Sequence, residues 1–259
     1  MDLFESMRID TEMSIGGSTG NLRKWIATDE VGKLWIKGRS NDSTFEPEAE
    51  VCAYKLAVLF GIPAIEYDII QDNLFDSQPV CICRDFSKNQ STISLYKYLI
   101  SVGFEEISTL TGADKFKLVE SVLSNKDKEL HRQTLLLDYI VGNKDRHLRN
   151  FEFRINSVTD TKELVEMFDT GASFFSDVIS LNIVKKFCNY DDNYVQSKPY
   201  SNLHYKQLEI LQEIGYSGLL KKVNKEDVYT IINGCFKKDR SKLINSFVIR
   251  NIERLGLLL

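Results

Sequence analysis

The sequence predicts an α+β chain in two parts, a small β-rich region over residues 1–86 with one helix and a larger, mostly helical region over residues 87–259. Short apolar runs bounded by turn residues fill the first part, whereas 3.6-residue periodicity dominates from Ser94 onward. Between them Arg84-Asp85-Phe86-Ser87-Lys88-Asn89-Gln90 is polar and follows a strand-like segment directly, as a hinge would.

The elements follow in order. Ser14-Ile15-Gly16-Gly17-Ser18-Thr19-Gly20-Asn21 is a loop of small residues that lets backbone N–H groups approach an anion closely. Residues 22–27 and 33–37 read as strands around the turn Thr28-Asp29-Glu30-Val31-Gly32, a hairpin with that loop at its mouth. Glu46-Pro47-Glu48-Ala49-Glu50 opens an amphipathic helix with Val51, Tyr54, Leu56, Ala57, Leu59 and Phe60 on or near its buried side, and Gly61 ends it. Residues 64–70 and 79–84 complete a small sheet. Helices are expected over 94–102, 114–123, 127–141, 181–188, 202–214, 226–233 and 239–257. Two strand-like segments, 151–155 and 164–168, flank a turn at 156–162, and 189–201 is a long polar loop, a candidate substrate-facing segment.

Composition narrows the function. A net charge of −4 with no polybasic run argues against a nucleic-acid or lipid surface. No run of 18 apolar residues occurs, and Met1-Asp2-Leu3-Phe4-Glu5 lacks the basic start and apolar core of a signal peptide. The five cysteines, odd in number and without metal-site spacing, read as reduced packing residues in a cytoplasmic chain, with Cys81 and Cys83 on one face of a strand.

The chemistry concentrates in Gly142-Asn143-Lys144-Asp145-Arg146-His147-Leu148-Arg149-Asn150 and Met167-Phe168-Asp169-Thr170-Gly171. Taken singly, Asp145, Arg146 and Asn150 are ordinary capping and turn residues. As an ordered set they match phosphoryl transfer from Mg-ATP, which asks of a protein mainly one carboxylate base and oxygen ligands for the metal. Asp145 suits the base, and Asn150 and Asp169 suit Mg²⁺, since the hairpin would bring residue 150 at its entry beside residue 169 at its exit. His147 reads as structural, orienting the loop; Asp138 either anchors it by hydrogen bonding or faces solvent. Upstream, Lys37 ends an apolar strand where ATP phosphate would supply its anion. Glu50 is the carboxylate expected to pair with Lys37, with Glu48 as the alternative. Ser14, Gly16, Gly17 and Ser18 would line the phosphates, and Arg84 and Phe86 would sit at the adenine hinge.

These residues resemble the HipA-like serine/threonine kinases, a branch of the bilobal protein-kinase-like fold. The resemblance rests on Ser14-Ile15-Gly16-Gly17, Trp35-Ile36-Lys37, Glu48-Ala49-Glu50 with Lys55-Leu56-Ala57, the segment 142–151 and Phe168-Asp169. It implies ATP-dependent phosphorylation of a protein Ser or Thr and inhibitory autophosphorylation at Ser14. It also implies a toxin role beside a DNA-binding antitoxin partner. Asp-Arg-His-x-x-Asn followed by Asp-x-Gly is similar to phosphatidylinositol kinases as well, which leaves lipid and small-molecule phosphotransfer as alternatives. A kinase-shaped regulatory module that binds without transferring phosphate is another.

Overall fold

The computed structural model describes residues 8–9, 23–71, 75, 77–189, 195–215 and 219–259. The loop residues Ser14, Gly16, Gly17 and Ser18 lie outside them. In the first sheet β2 (Lys24–Thr28) and β3 (Lys33–Lys37) form the expected antiparallel hairpin, with Lys24 opposite Lys37. Asp29 closes its turn by accepting from the N–H groups of Val31 (2.9 Å) and Gly32 (3.0 Å). β5 (Pro79–Arg84) pairs with the other side of β3, and β1 (Arg8–Ile9) and β4 (Asp68–Gln71) are the edges, giving the order β1-β2-β3-β5-β4.

The strand expected over 64–70 begins only at Asp68. Ahead of it, Ile65 donates its N–H to Met167 O (2.9 Å) and Ala64 bridges to Met167, so this stretch pairs with the far half of the chain instead of the sheet.

The pleat of β3 decides where its lysine points. Leu34 and Ile36 pack with Ala27, Val80 and Ile82 on one face; Trp35 and Lys37 face the other way, opposite Cys83 and Cys81 in register. That second face is covered by α1 (Glu46–Phe60), whose Val51 packs on Tyr67, Cys81 and Cys83. Pro47 presets the first turn of α1, and Gly61, at φ +78°, caps its end by donating to Ala57 O and Val58 O. Burial reaches further round α1 than one amphipathic stripe. Ala49, Cys52, Ala53, Leu56, Ala57 and Phe60 are wholly buried, while Tyr54 and Leu59 are only half-buried. The helix lies between β5 and α7 (Lys225–Cys235), and alanine at 49, 53 and 57 lets both come close.

The remainder is helical: α2 (Leu95–Ser101), α3 (Gly112–Ser121), α4 (Asn125–Val141), α5 (Leu181–Asn189), α6 (His204–Glu213), α7 and α8 (Lys238–Arg254). A second sheet, β6-β7-β8, contains the anticipated hairpin of β7 (Glu152–Asn156) and β8 (Thr161–Leu164), although β8 starts earlier than expected. β6 (Ser91–Ser94) is an addition. Its Ser-Thr-Ile-Ser carries one apolar residue and runs straight into α2, which Ser94 caps by accepting from Lys97 N–H, so periodicity could not reveal it.

α4 runs through the middle of the main core, where Leu135, Leu136, Leu137, Ile140 and Val141 pack with Phe153, Phe174, Phe247 and Ile252. Ser124 caps its start, and Gly142 ends it at φ +66°. A Cβ on Gly142 would stand 2.9 Å from Phe247 Cζ, so both backbone conformation and space demand glycine. No helix among the described residues is long and apolar enough to cross a membrane.

Candidate active site

Three remote pieces of chain meet at Lys37. Its ammonium donates to Glu50 Oε1 and to Asp169 Oδ1, each at 2.8 Å, and lies 3.4 Å from the Tyr67 hydroxyl. Glu48 pairs with Arg39 instead. The second oxygen of Glu50 accepts from the backbone N–H (2.7 Å) and the hydroxyl (2.8 Å) of Thr170, so one carboxylate links α1 to β3 and to the segment beside Asp169. Burial opposes both charges of the Lys37–Asp169 pair. Asp169 and Glu50 outweigh it at Lys37 and raise that pKa well above the usual lysine value. Lys37, with help from Lys24 and Arg146, holds the Asp169 carboxyl well below the usual range. Asp169 is therefore ionised at neutral pH, as a metal ligand must be.

Asp169 takes φ +58°, and Phe174 and Phe175 take +55° each. Such backbone is strained for non-glycine residues and persists only where surroundings over-determine it. Here Thr170 is held by Glu50, Phe174 N–H donates to Val141 O (2.9 Å), and Arg240 donates to the carbonyls of Phe174, Phe175 and Val178.

The 142–150 segment is organised from inside by Asp138, which is wholly buried. It accepts from Arg146 Nε (2.8 Å) and Nη2 (3.2 Å) and from Asn143 Nδ2 (2.8 Å). Of the two options for Asp138, the anchor is the one observed. Arg146, equally buried, turns its remaining nitrogen to the carbonyls of Asn150 (3.1 Å) and Phe168, fastening the segment to the residue before Asp169. Asn143 Oδ1 accepts from Asp145 N–H (3.1 Å), and Asn150 Nδ2 donates to Asp145 O (3.0 Å). That bond fixes the amide so that Oδ1 is the atom offered outward. His204, on the first turn of α6, contacts Asn143 O through Nε2 (2.9 Å).

Asp145 itself is half exposed, and its Oδ1 accepts from Lys198 Nζ at 2.7 Å. His147 Nε2 stands 4.0 Å from Asp145 Oδ2. Lys198 comes from the polar loop singled out in the sequence, which is firmly built where described. Tyr200 OH meets the buried His131 Nε2 at 2.7 Å, Ser197 Oγ donates to Ser201 O (2.9 Å), and Gly112 N–H donates to Tyr200 O (2.8 Å).

At the hinge, the Arg84 side chain points back to the β2–β3 turn and pairs with Asp29 at 2.6 Å. Phe86 stacks on Phe168 with centroids 4.9 Å apart, and its carbonyl accepts from Arg154 Nε (2.9 Å). Arg154 also pairs with Glu163 and Glu166, which ties the hinge to the β7–β8 hairpin. Sequence reasoning gave no role to Tyr67, Thr170, Lys198 or His204, and saw Arg146 only as a motif letter; among these only Lys198 carried a signal, its place in the polar loop. No group of three His, Cys, Asp or Glu side chains able to hold a metal occurs among the described residues. A two-oxygen set of Asn150 and Asp169 suits Mg²⁺ in the company of phosphates and water, and suits zinc poorly.

No family model matches this chain, and no curated protein matches it. Solved structures do. A proinflammatory kinase of Helicobacter pylori, CtkA, superposes with a TM-score of 0.73 over 96% of this chain and 94% of its own, at 14% identity. HipA of Shewanella oneidensis MR-1, solved in its toxin–antitoxin complex with HipB and operator DNA, superposes with a TM-score of 0.57 at 13% identity. That match covers 93% of this chain and 66% of HipA. The chain shares its fold with these two proteins. That fold is the α+β division seen here, a small antiparallel sheet region followed by a helical remainder. At these identities the likeness is one of fold.

Proposed function

We propose that this chain is an ATP-dependent protein serine/threonine kinase of HipA-like type. The observation that carries the reading is the buried junction at Lys37, where a strand, a helix and a segment 132 residues downstream converge on one ammonium group. A structural ion pair would need no companion segment offering a carboxylate and an amide nearby. In this reading residues 1–86 form the nucleotide side and residues 87–259 the acceptor side. Lys37, positioned by Glu50, binds phosphate. Asn150 and Asp169 hold Mg²⁺, and Ser14, Gly16, Gly17 and Ser18 cover the phosphates. The segment from Arg84 to Phe86 borders adenine, with one lone pair of the Phe86 carbonyl already taken by Arg154. Mg-ATP supplies the phosphoryl group and neutralises its charge. Asp145 orients the acceptor hydroxyl and takes its proton.

A transfer assay with labelled ATP tests this. Asp145→Asn should lower incorporation by about 10²-fold or more while leaving Mg-ATP binding intact, whereas Asp169→Asn should weaken metal-dependent nucleotide binding itself. Incorporation that persists in Asp145→Asn would remove Asp145 from its role, and equal binding defects would contradict the division of labour. The second reading, a kinase-shaped module without transfer, is favoured by one observation: Lys198 sits on Asp145. The same assay on the parent chain separates the two. Autophosphorylation at Ser14 belongs to the first reading, and mass spectrometry after incubation with Mg-ATP would find it. A DNA-binding antitoxin partner enters through HipA alone, and copurification with a small DNA-binding protein would support it.

A further inference from the structure

A groove of one charge sign runs beside Asp145. An open cavity of about 980 Å³ adjoins one of about 390 Å³, and the two share Ser108, Lys115, Lys198 and Pro199. Lys144 and Lys206 also line the larger, His147 and Arg149 the smaller, and no Asp or Glu lines either among the described residues. The chain as a whole carries 37 acidic against 33 basic residues, so composition does not account for such a surface.

The counter-ions of these cations are incomplete. Lys115, half-buried in the first turn of α3, has an ammonium group with no hydrogen bond or ion pair among the described residues, and burial lowers its pKa. The described contact of the Lys206 ammonium is the Tyr205 ring, 6.0 Å away. Lys144 is satisfied by Asp177, but the anion on Lys198 is the carboxylate of Asp145 itself. Lys115, partly desolvated and without an anion, favours binding one that completes it, and the exposed Lys198 and Lys206 add positive charge on the same groove. The backbone under Lys198 is held by Tyr200 and Ser197, so the side chain alone needs to move.

The occupant must also be continuous with whatever presents a hydroxyl to Asp145. The larger cavity takes the side chains of a few extended residues, at about 3.3 Å of chain each. A nucleic acid would call for a basic track over many phosphates, which a chain of net charge −4 does not provide.

We infer that the acceptor is a serine or threonine within an acidic protein segment, whose Asp or Glu side chains seat on Lys115, Lys198 and Lys206. This rests on the kinase reading. Seating draws Lys198 away from Asp145, so an acidic acceptor releases the base it is about to use, while a neutral one leaves the base paired.

Fluorescein-labelled peptides with a central Ser flanked by Glu, by Ala or by Lys, and a single-stranded RNA 12-mer, would be titrated with the full chain by anisotropy. Transfer from Mg-ATP would be followed on the same peptides. The Glu peptide should bind at least 10-fold tighter than the Ala peptide. Lys115→Glu with Lys206→Glu should erase that preference, and Lys222→Glu, at an exposed lysine outside the groove, should keep it. Melting temperatures check folding, and the milder Lys115→Ala with Lys206→Ala should lose part of the preference. Equal binding of the three peptides, or tighter binding of RNA, overturns the inference. Transfer without acid preference overturns it and leaves the kinase reading standing. Charge-dependent binding with no transfer to any peptide removes the kinase reading and the acceptor with it, and leaves the groove as a binding site for an acidic segment.

Discussion

Replacing Arg146 by Leu should remove most of the margin that keeps this protein folded. The guanidinium makes two bonds to Asp138 and two to the carbonyls of Asn150 and Phe168, all inside the protein where neither Arg146 nor Asp138 is exposed. Removing one partner of a buried ion pair typically costs about 3–5 kcal/mol, because the other charge stays buried with its attraction gone. Asp138 would keep one side-chain donor, Asn143 Nδ2. Two orphaned carbonyls add about 1 kcal/mol or more each. The sum, roughly 5 kcal/mol or above, compares with a total stability of about 5–15 kcal/mol for a typical domain. At about 2–4 °C per kcal/mol for a chain of this size, the melting temperature should fall by roughly 10–20 °C in a thermal scan followed by circular dichroism. A fall of under about 4 °C would refute the reasoning. The companion measurement is Asp138→Leu with Arg146→Leu. With both charges gone the double variant should be more stable than the sum of the single losses predicts, and simple additivity would show that the charge left behind was not the cause.

Glu166 is opposed by burial, yet Lys88 and Arg154 prevail and bring its pKa from 4.5 down to about 2. A depressed folded value contributes stability above the unfolded pKa that is lost as pH falls toward the folded one. The parent should therefore lose stability between about pH 4.5 and 2, by on the order of 1–2 kcal/mol from this group, and Glu166→Gln should show a shallower slope in acid denaturation. Identical slopes would argue against it. Gly142→Ala should destabilise by about 2–4 kcal/mol, from left-handed backbone plus crowding against Phe247, with partial rescue by Phe247→Leu; an unchanged urea midpoint would contradict this. Lys37→Met leaves Glu50 and Asp169 without their cation, and binding of a fluorescent ATP analogue should weaken at least 10-fold on the proposed function. Chelation of Mg²⁺ should have a similar effect on the parent chain, and affinity unaltered by either change would refute the assignment.

Much of the fold was legible because it is written in local periodicity. The β2–β3 hairpin, the end of α1 at Gly61 and the run of helices from α2 to α8 follow from alternation, caps and 3.6-residue spacing. The geometry at Lys37 was partly legible too. Alternation along β3 puts Lys37 on the same face as Trp35, and Glu50 lies in the helix that covers that face. What escaped has partners far away in sequence. Arg146 reaches to 138, 150 and 168, Thr170 to 50, and Lys198 to a carboxylate 53 positions earlier. No pattern along one segment encodes such pairings. They arise when separately legible elements are brought together, and for a polar side chain the choice between solvent and a buried partner is made only then. The segment around Ala64 failed for the same reason, since its apolar residues look strand-forming and Met167 claims their hydrogen bonds.

The divided grip of Glu50 has a mechanical corollary. With one oxygen committed to Lys37 and the other to Thr170, the carboxylate can satisfy both neighbours over a narrow range of rotation of its helix. Successive residues of an α-helix point about 100° apart, so even a small fraction of a turn would break both attachments together. Tilting the helix would thus free the sheet's lysine and Thr170 from Glu50 in a single event, and leave the direct Lys37–Asp169 contact as what still joins the two pieces of chain.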